Sequence, residues 1–566
     1  MPEQRQPTLS VVAVLCCVSL IAGVVWSSDR GLGLTDEAYY LLSAIHPEQV
    51  QLYISAQHWV LAPLWALTGS LEAFRLVGAV ILLGSAGLLA MGATRAMAAV
   101  TGYPVPALTT LGVAAASGVG ALAYVATIAP SPSYNLLASA GGYGAVGCAL
   151  LALNRGRWVG LSLAIAAGGW LAVSLINKPS AGVCVGLTVL ALVAGLQSGG
   201  RKWGIIGAGA LGTVATLGWF AAMQPSAVAI GDSFRGGLDL FRMVQAEPVM
   251  ERLMRYAVTT AAFVVGAVTA FWPTALLAVA LLVYPRNWLA WVLVGAALVG
   301  VLLGKHHMAG MTRYVGMVQA HYALLIVTLA LGVRYWIGHA QLRWLFAGLL
   351  VLPFSIAIGT GNALFTQVIV ALAPWTMVAA MMGMVAGQSP ALRLAQRGGA
   401  ALLLVVVTAQ VFNSFTREPY HLHAPLTAQT EVVLVGRLGA LRVDPFTADF
   451  LAQVASIRQV CGIGPETAYL GIFNLPGLAL LLDAVAPVTP WLNNVDQLAA
   501  VLKHWQPDPA RPTVLALSPE VWRDPAVLPL AIWPPAGQRR LCGKAKLPYD
   551  GTEVEFWLVG GRGALN

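Results

Sequence analysis

Thirteen apolar stretches occupy most of the chain before residue 416. Each is close to the roughly 20 residues that an α-helix needs to cross about 30 Å of hydrocarbon. Only 10% of the 566 residues are charged and 58% are hydrophobic, whereas soluble domains are about 25% charged. Because so few charged residues cannot cover the surface of a water-soluble protein of this length, most of the chain is expected to lie in a membrane. The sequence therefore predicts a mainly α, polytopic membrane protein with about 13 transmembrane helices. The predicted spans lie near residues 9–27, 74–94, 105–128, 134–153, 158–176, 180–198, 203–222, 256–283, 288–304, 315–333, 343–360, 368–387 and 399–415.

The pattern changes after residue 416. Strand-like runs at 431–435, 513–517 and 553–559 alternate with helix-like runs at 447–457 and 495–505. This alternation predicts a small α/β domain over residues 417–566, after a membrane domain over residues 1–416. Its two cysteines, Cys461 and Cys542, can form a disulfide if the domain lies outside the cytoplasm, and two free thiols are the alternative.

The basic residues predict which side of the membrane each terminus faces. Thirteen spans put the termini on opposite sides, with eleven Lys and Arg on the N-terminal side and nine on the other. The connections on the N-terminal side are short, and there the positive-inside rule holds best. We therefore expect a cytoplasmic N-terminus and an extracytoplasmic C-terminal domain.

The carboxylates of the membrane part are confined to its N-terminus and to two long loops. Ten acids precede residue 418, and nine of them lie in loops 28–73 and 223–255, on the same predicted side. Proton-coupled transporters place ionisable carboxylates inside their spans. The distribution therefore favours chemistry at the membrane surface, where a loop acid meets a substrate presented by the bilayer. The basic residues are scattered, so no nucleic-acid partner is expected.

Two adjacent acids and two tyrosines follow the first span, in Asp36-Glu37-Ala38-Tyr39-Tyr40-Leu41-Leu42. Thr35 or Asp36 can cap a short helix, with Glu37 near its positive end, which is a purely structural role. A carboxylate near the membrane with aromatic neighbours for a sugar ring also suits a general base that activates a hydroxyl. The second long loop mixes charged and apolar residues, and we expect it to cover the site and to become ordered only with substrate.

The same run resembles the first-loop motif of the GT-C glycosyltransferases of the dolichyl-phosphate-mannose-protein mannosyltransferase and aminoarabinose (lipid A) transferase type. Further segments resemble parts of that family in the same order, although residues 56–63 replace its usual His-Pro-Pro. The resemblance covers roughly residues 10–415 and includes the thirteen-span plan with an outer C-terminal domain. The further segments are Pro63–Gly69 with Phe74–Gly78, Leu175–Ser180 with its lysine-proline pair, and Arg313-Tyr314.

The resemblance implies an inverting glycosyltransferase of the bacterial inner membrane. Such an enzyme moves a sugar from a polyprenyl-phosphate-linked donor to a hydroxyl of a cell-envelope acceptor on the outer face. Asp36 would take the proton of the acceptor hydroxyl, and Glu37 would orient Asp36 or bind a metal. Arg75 is interpreted as a helix-start anchor or as the partner of a loop acid. The donor phosphate would be bound by Lys178, Arg313 and Lys305, and the predicted substrate pocket contains Tyr39, Tyr40, His58, Tyr134, Asn135 and Tyr314.

Other functions stay open at this stage. A lipid-linked polysaccharide polymerase or ligase uses similar donors, and a membrane transporter or flippase would share the helical plan, although the sequence has no internal repeat. No metal site is predicted, because the adjacent His306 and His307 cannot easily bind one ion from one helix face. A divalent cation bound by one of them with Glu37 and His58 remains an alternative. The expected partners are the bilayer, the lipid-linked donor and the envelope acceptor, and the protein is expected to be a monomer.

Overall fold

In the computed structural model, the described residues are 7–224, 227–244, 247–304, 311–337, 339–359, 361–384, 389–417, 419–508, 510–524, 528–530 and 532–560. Before residue 417 these residues form a bundle of helices. The helices are α1 (Pro7–Ser27), α2 (Asp36–Ile45), α3 (Gln57–Thr68), α4 (Leu71–Thr101), α5 (Ala107–Leu122), α6 (Tyr134–Leu153), α7 (Arg157–Asn177), α8 (Pro179–Leu196), α9 (Arg201–Ala222), α10 (Ala227–Val244), α11 (Val249–Ala270), α12 (Trp272–Val283), α13 (Asn287–Gly304), α14 (Met311–Ile337), α15 (Ala340–Ala357), α16 (Leu364–Gln367), α17 (Ala373–Met384) and α18 (Pro390–Thr416).

Ten helices among the described residues are long and apolar enough to cross a membrane. An eleventh span is present if the bent pair Leu364–Ala371 and Ala373–Gly383, which meet at 71°, is taken as one. The predicted spans near 288–304 and 315–333 lie on the shorter apolar helices Asn287–Leu303 and Val318–Val333. The protein is therefore a multi-pass helical membrane protein, as predicted.

One predicted span, 256–283, is divided between α11 and α12. Pro273 stands in the first turn of α12, and a proline has no N–H with which to continue the hydrogen bonds of a preceding helix. The apolar composition of the segment hid this break, because hydropathy does not register a missing backbone donor.

Helix α6 is the centre of the bundle, and its span is entirely buried inside the protein. Its neighbour α4 packs against it almost backbone to backbone. A Cβ atom on Gly92 would lie 2.4 Å from the carbonyl oxygen of Gly147, and one on Gly147 would lie 2.6 Å from the backbone of Leu88. Small residues permit such close helix packing in membranes, and the contact aligns the starts of α4 and α6 beside the first loop.

The C-terminal part is a small α/β domain, as predicted. Its elements are β1 (Glu431–Leu434), β2 (Ala440–Val443), α19 (Pro445–Val460), β3 (Ala468–Ile472), α20 (Pro476–Leu482), α21 (Val495–His504), β4 (Thr513–Leu517), α22 (Pro519–Trp522), β5 (Arg539–Lys546) and β6 (Glu553–Val559). The four-stranded sheet has the order β3-β4-β6-β5, with β3 parallel to β4 and the other two pairs antiparallel, and β1 and β2 form a separate antiparallel pair. The central strand β4 is buried along its whole length, which explains its continuous apolar sequence.

The C-terminal domain packs directly on the first loop. The amide of Gly31 donates to the carbonyl of Arg442 at 2.8 Å, and the amide of Gly477 donates to the carbonyl of Leu34 at 3.1 Å. The second loop joins them, because the Gln497 side chain donates to the carbonyl of Leu240 on α10 at 3.0 Å. Both long loops and the C-terminal domain therefore lie on the same side of the helix bundle. In the second loop, residues 227–244 form a helix.

Cys461 and Cys542 form a disulfide that joins the end of α19 to β5 across 81 residues of sequence. Because closing a loop of this length restricts the unfolded chain, Cys542→Ser is expected to destabilise the C-terminal domain by about 2–4 kcal/mol. The measurement is the thermal unfolding of the purified protein in detergent, with non-reducing electrophoresis to report the bond. Cys184→Ser, which replaces a free thiol on α8, is the control and should unfold like the wild type. Equal unfolding temperatures for the two variants would contradict the prediction.

Candidate active site

Asp36 and Glu37 form the first turn of α2, directly after the first span. Successive residues of an α-helix are about 100° apart around its axis, so the two carboxylates face different neighbours. Thr35 occupies the N-cap position, but its side chain makes no capping hydrogen bond. Of the two residues expected to cap the helix, Thr35 therefore holds the cap position, while its hydroxyl lies 2.9 Å from Nδ1 of His421.

Glu37 is the buried acid of the pair. Nε and Nη2 of Arg75 donate to its two carboxylate oxygens at 2.8 and 2.6 Å, and both side chains are only 3% exposed. Ser131 Oγ and the amide of Gly33 add hydrogen bonds of 2.6 and 3.1 Å. Burial by itself would raise the pKa of Glu37, but the charge and hydrogen bonds of Arg75, together with those from Ser131 and Gly33, hold that pKa below its usual value. Glu37 therefore stays ionised and fully hydrogen-bonded.

Arg75 also binds the chain that leaves the first span. Its Nη1 donates to the carbonyl oxygens of Ser28 and Arg30 at 3.0 and 2.9 Å, and its Nη2 donates to that of Gly31 at 2.9 Å. Ser70 caps α4 by accepting from the amide of Ala73, so Arg75 lies at the start of that helix. The guanidinium thus connects the end of α1 and the start of α2 to the start of α4.

Asp36 has a different environment. Its carboxylate is partly exposed, and the hydroxyl of Tyr420 donates to its Oδ2 at 2.9 Å. Within the part of the chain that the structure describes, no lysine or arginine forms an ion pair with it. Burial raises the pKa of Asp36 above its usual value, against the opposing effects of Tyr420, His421 and Tyr40. This acid can therefore exchange a proton nearer to neutral pH than its neighbour can.

Aromatic rings continue from Asp36 along α2. Tyr40 is buried and makes an edge contact with Tyr134 at the start of α6, with ring centroids 5.9 Å apart. Tyr39 packs against Tyr40 at 5.9 Å and against Trp491 of the C-terminal domain at 5.7 Å. The side-chain oxygen of Gln57 accepts from the amide of Tyr134 at 2.8 Å. Tyr39, Tyr40 and Tyr134, three of the residues predicted to line a substrate pocket, therefore lie in one row of ring contacts.

Lys178 lies at the junction of α7 and α8 and is 5% exposed. Its ammonium donates to Asn135 Oδ1 at 3.3 Å and to the carbonyl oxygens of Ile356 and Ala357 at 3.1 and 3.0 Å. Burial lowers its pKa to about 7. Lys178 therefore contacts Asn135, which directly follows Tyr134 in the sequence. The three hydrogen bonds that its ammonium donates go to neutral oxygens rather than to a carboxylate.

His58 lies in the first turn of α3. Its ring packs between Tyr53 and Trp59, with centroid distances of 4.6 and 5.3 Å. Burial lowers its pKa to about 3, so the imidazole is neutral, and neither ring nitrogen has a partner among the described residues. Within that same set, no three His, Cys, Asp or Glu side chains cluster as metal ligands would.

The basic-aromatic candidates near the start of α14 are placed only in part. Arg313 and Tyr314 belong to the first turn of that helix, which begins at Met311, and their side chains are outside the described part of the structure. Lys305 lies entirely outside the described residues.

A small cleft of about 60 Å³ opens beside Glu37 and Arg75. The residues after the last span form one wall of it, and Thr35, Val125 and Phe415 lie on the other walls. The sequence did not predict the contribution of Tyr420 and His421. Tyr420 contacts Asp36 across 384 residues of sequence, and His421 contacts Thr35 across 386. The run Pro419-Tyr420-His421-Leu422-His423, directly after the last span, is the one local signal that pointed to them.

No protein-family model and no curated protein matches the chain. Among solved structures, the chain is similar to apo ArnT from Cupriavidus metallidurans, with 13% identity over 96% of this chain and 97% of that one and a TM-score of 0.42. The same protein bound to undecaprenyl phosphate is similar at 14% identity, with the same coverage and a TM-score of 0.43. The arabinosyltransferase EmbB from Mycobacterium smegmatis is similar at 14% identity over 74% of this chain and 42% of that one, with a TM-score of 0.33.

Breaking the buried ion pair should destabilise the whole first loop. Glu37→Gln leaves the charge of Arg75 buried and unpaired, so we expect the free energy of unfolding to fall by about 3–5 kcal/mol. The measurement is the thermal unfolding temperature in detergent, which should be lower than that of the wild type. The control is Asp29→Asn, which breaks an ion pair with Arg442 in which the Asp29 and Arg442 side chains are 30% and 44% exposed. Losing this more exposed pair should lower the free energy of unfolding by less than about 1 kcal/mol. If both variants unfold at the same temperature, Glu37 does not have this structural role.

Proposed function

We propose that this protein is a membrane glycosyltransferase. It transfers a sugar from a polyprenyl-phosphate-linked donor to a hydroxyl of a cell-envelope glycolipid, polysaccharide or protein, on the outer face of the bacterial inner membrane. The observation that carries the proposal is Asp36, a partly exposed acid without an ion pair among the described residues, at the membrane surface beside a row of tyrosines. The first-loop motif of the sequence supports the same class.

Asp36 is the general base. Its carboxylate takes the proton of the acceptor hydroxyl while the acceptor oxygen forms a bond to the anomeric carbon of the donor sugar. The bond from that carbon to the phosphate oxygen breaks, and polyprenyl phosphate leaves with the electron pair. Attack from the face opposite the leaving group inverts the configuration at the anomeric carbon.

The departing phosphate needs cationic donors, because negative charge develops on it as the bond breaks. We assign this role to Lys178, with Arg313 and Lys305. The three acceptors of the Lys178 ammonium are neutral oxygens, and a phosphate oxygen is the stronger acceptor. The donor phosphate therefore replaces one or more of these oxygens when it binds.

The tyrosines between Asp36 and Lys178 accommodate the sugar. Tyr40 and Tyr134 are in contact, and Asn135 joins them to Lys178. A sugar bound along this row has its reacting carbon between the base and the phosphate site. Glu37 does not react in this scheme, because its four hydrogen bonds and the Arg75 charge keep it ionised and in place.

The outer face is supported by the disulfide of the C-terminal domain. Disulfides persist in oxidising compartments such as the periplasm and are rare in the cytosol. Cys461 and Cys542 are joined, and the domain that contains them packs on the first loop. A first loop and a C-terminal domain outside the cytoplasm agree with the bias of the basic residues.

The central test is Asp36→Asn, which keeps the size of the side chain and removes the base. Transfer of labelled sugar from polyprenyl-phosphate donors in purified membranes is expected to fall by about 10²–10⁴-fold. Asp239→Asn, which changes an exposed acid on α10 paired with Arg242, is the control and should keep wild-type activity. Full activity of Asp36→Asn would refute its role as base, and a wild-type protein that consumes no lipid-linked donor would refute the enzyme class.

A second test concerns the phosphate. Lys178→Gln removes the charge, and because a hydrogen bond to a charged group contributes about 1.5–3 kcal/mol, the KM for the lipid-linked donor is expected to rise by roughly 10–100-fold. The control is Lys202→Gln at the start of α9, at the far end of the bundle, which should leave the KM unchanged. A Lys178→Gln protein that folds and keeps the wild-type KM would exclude Lys178 from the phosphate site.

A further inference from the structure

The segment that follows the last span returns to the first loop. Helix α18 ends at Thr416, and Pro419, Tyr420, His421 and Leu422 form one wall of the cleft beside Glu37. Nothing in the proposed chemistry requires this segment to be there, since it belongs to the connection to the C-terminal domain. Yet two of its side chains hydrogen-bond to the turn that carries the candidate base.

Tyr420 makes the direct contact. Its hydroxyl donates to Oδ2 of Asp36 at 2.9 Å, although its side chain is 44% exposed. A hydrogen bond to one carboxylate oxygen restricts the rotation of the carboxylate plane, and so restricts where the other oxygen points. The direction of that second oxygen is what a general base needs in order to meet a substrate hydroxyl.

His421 supports Tyr420 from behind. The two rings are stacked with centroids 4.0 Å apart and 10° between their planes, and the His421 ring is also nearly parallel to Tyr549 of the C-terminal domain, at 5.9 Å. Its Nδ1 lies 2.9 Å from the hydroxyl of Thr35, the residue before Asp36. The stack therefore joins the C-terminal domain to the start of α2.

The backbone of His421 indicates that this arrangement is held by its surroundings. Its φ is +51°, in the left-handed region that side chains with a Cβ rarely adopt. Such a conformation persists only where neighbouring contacts compensate for it, and residues of this kind concentrate at functional sites. The contacts to Thr35, Tyr420 and Tyr549 are the ones that hold it here.

We infer that Tyr420 and His421 are positioning residues for Asp36, with Tyr420 orienting the carboxylate and His421 fixing Tyr420 against the start of α2. The inference rests on the proposed role of Asp36 as the general base. It gives the C-terminal domain a part in the reaction, because Tyr549 completes the stack.

Several titratable groups face Asp36, and their effects determine in which direction its pKa moves when one of them is replaced. They are Tyr40 on its own helix, Tyr124 and Tyr134 from the membrane part, and Tyr420 and His421 from the returning segment. Asp550 acts in turn on His421. Burial raises the pKa of Asp36, while the Tyr420 hydrogen bond is the largest opposing effect and the charge of His421 is the next.

A general base works only when it is deprotonated, so kcat/KM falls as the pH drops through the pKa of Asp36. Tyr420→Phe keeps the ring on His421 and removes the hydroxyl, which raises that pKa. We therefore expect the acidic limb of the pH profile to move to higher pH by roughly one unit. The activity on the alkaline side of the limb is expected to fall as well, because the deprotonated carboxylate is no longer held in one orientation.

His421→Asn is the second variant, because asparagine tolerates a positive φ and can still accept from Thr35. It removes the stacked ring, while little charge is lost because burial holds the pKa of His421 below its usual value. It should therefore shift the limb in the same direction by less than Tyr420→Phe. The matched control is His423→Asn, since His423 stacks on Phe446 at 4.5 Å instead of facing Asp36. Its pH profile should be that of the wild type.

The outcomes separate the two claims. A Tyr420→Phe profile that coincides with the wild type overturns the positioning role, and so does a uniform loss of activity at every pH with an unmoved limb, which indicates structural support only. Either result leaves the proposed function intact as long as Asp36→Asn is inactive. A wild-type protein without transfer activity, or a fully active Asp36→Asn, overturns the proposed function and this inference with it.

Discussion

The buried ion pair between Glu37 and Arg75 is the interaction on which the candidate site depends. Two charges removed from water are stable only if their remaining hydrogen-bonding groups are also satisfied. Here Arg75 binds both oxygens of Glu37 and three carbonyls at the end of the first span, and Ser131 and Gly33 complete the carboxylate. The pair thereby fixes the path of the chain from α1 into α2, and with it the position of Asp36.

Two neighbouring acids on one helical turn thus have opposite properties. The pKa of Glu37 is held low by a cation and four hydrogen bonds, whereas the pKa of Asp36 is raised by burial without an ion pair among the described residues. Only an acid of the second kind can take up a proton during a reaction and release it afterwards. In the proposed mechanism, Glu37 holds the turn in place and Asp36, with Tyr420 on one oxygen, is the base.

The sequence predicted the membrane fold because hydropathy and helix length determine it. It also predicted the C-terminal elements with continuous apolar or amphipathic patterns, such as β4 over Thr513–Leu517 and α21 from Val495. It did not predict β3 or β5, whose residues carry no clear alternation, nor the break before Trp272. Asp36 and Lys178 were predicted from local motifs. Tyr420 and His421 were not, because they meet Thr35 and Asp36 only after the whole bundle has assembled and no pattern in sequence records a contact across more than 380 residues.

The proposed mechanism requires a lipid-linked sugar to bind between Asp36 and Lys178. The most direct measurement is an experimental structure of the protein with a non-hydrolysable polyprenyl-phosphonate sugar. In that structure, the phosphonate oxygens should lie within about 3 Å of the Lys178 ammonium. The anomeric carbon should lie within about 6 Å of the Asp36 carboxylate, which leaves room for one acceptor oxygen between them. A sugar bound in another part of the protein, or a phosphonate remote from Lys178, would contradict the claim.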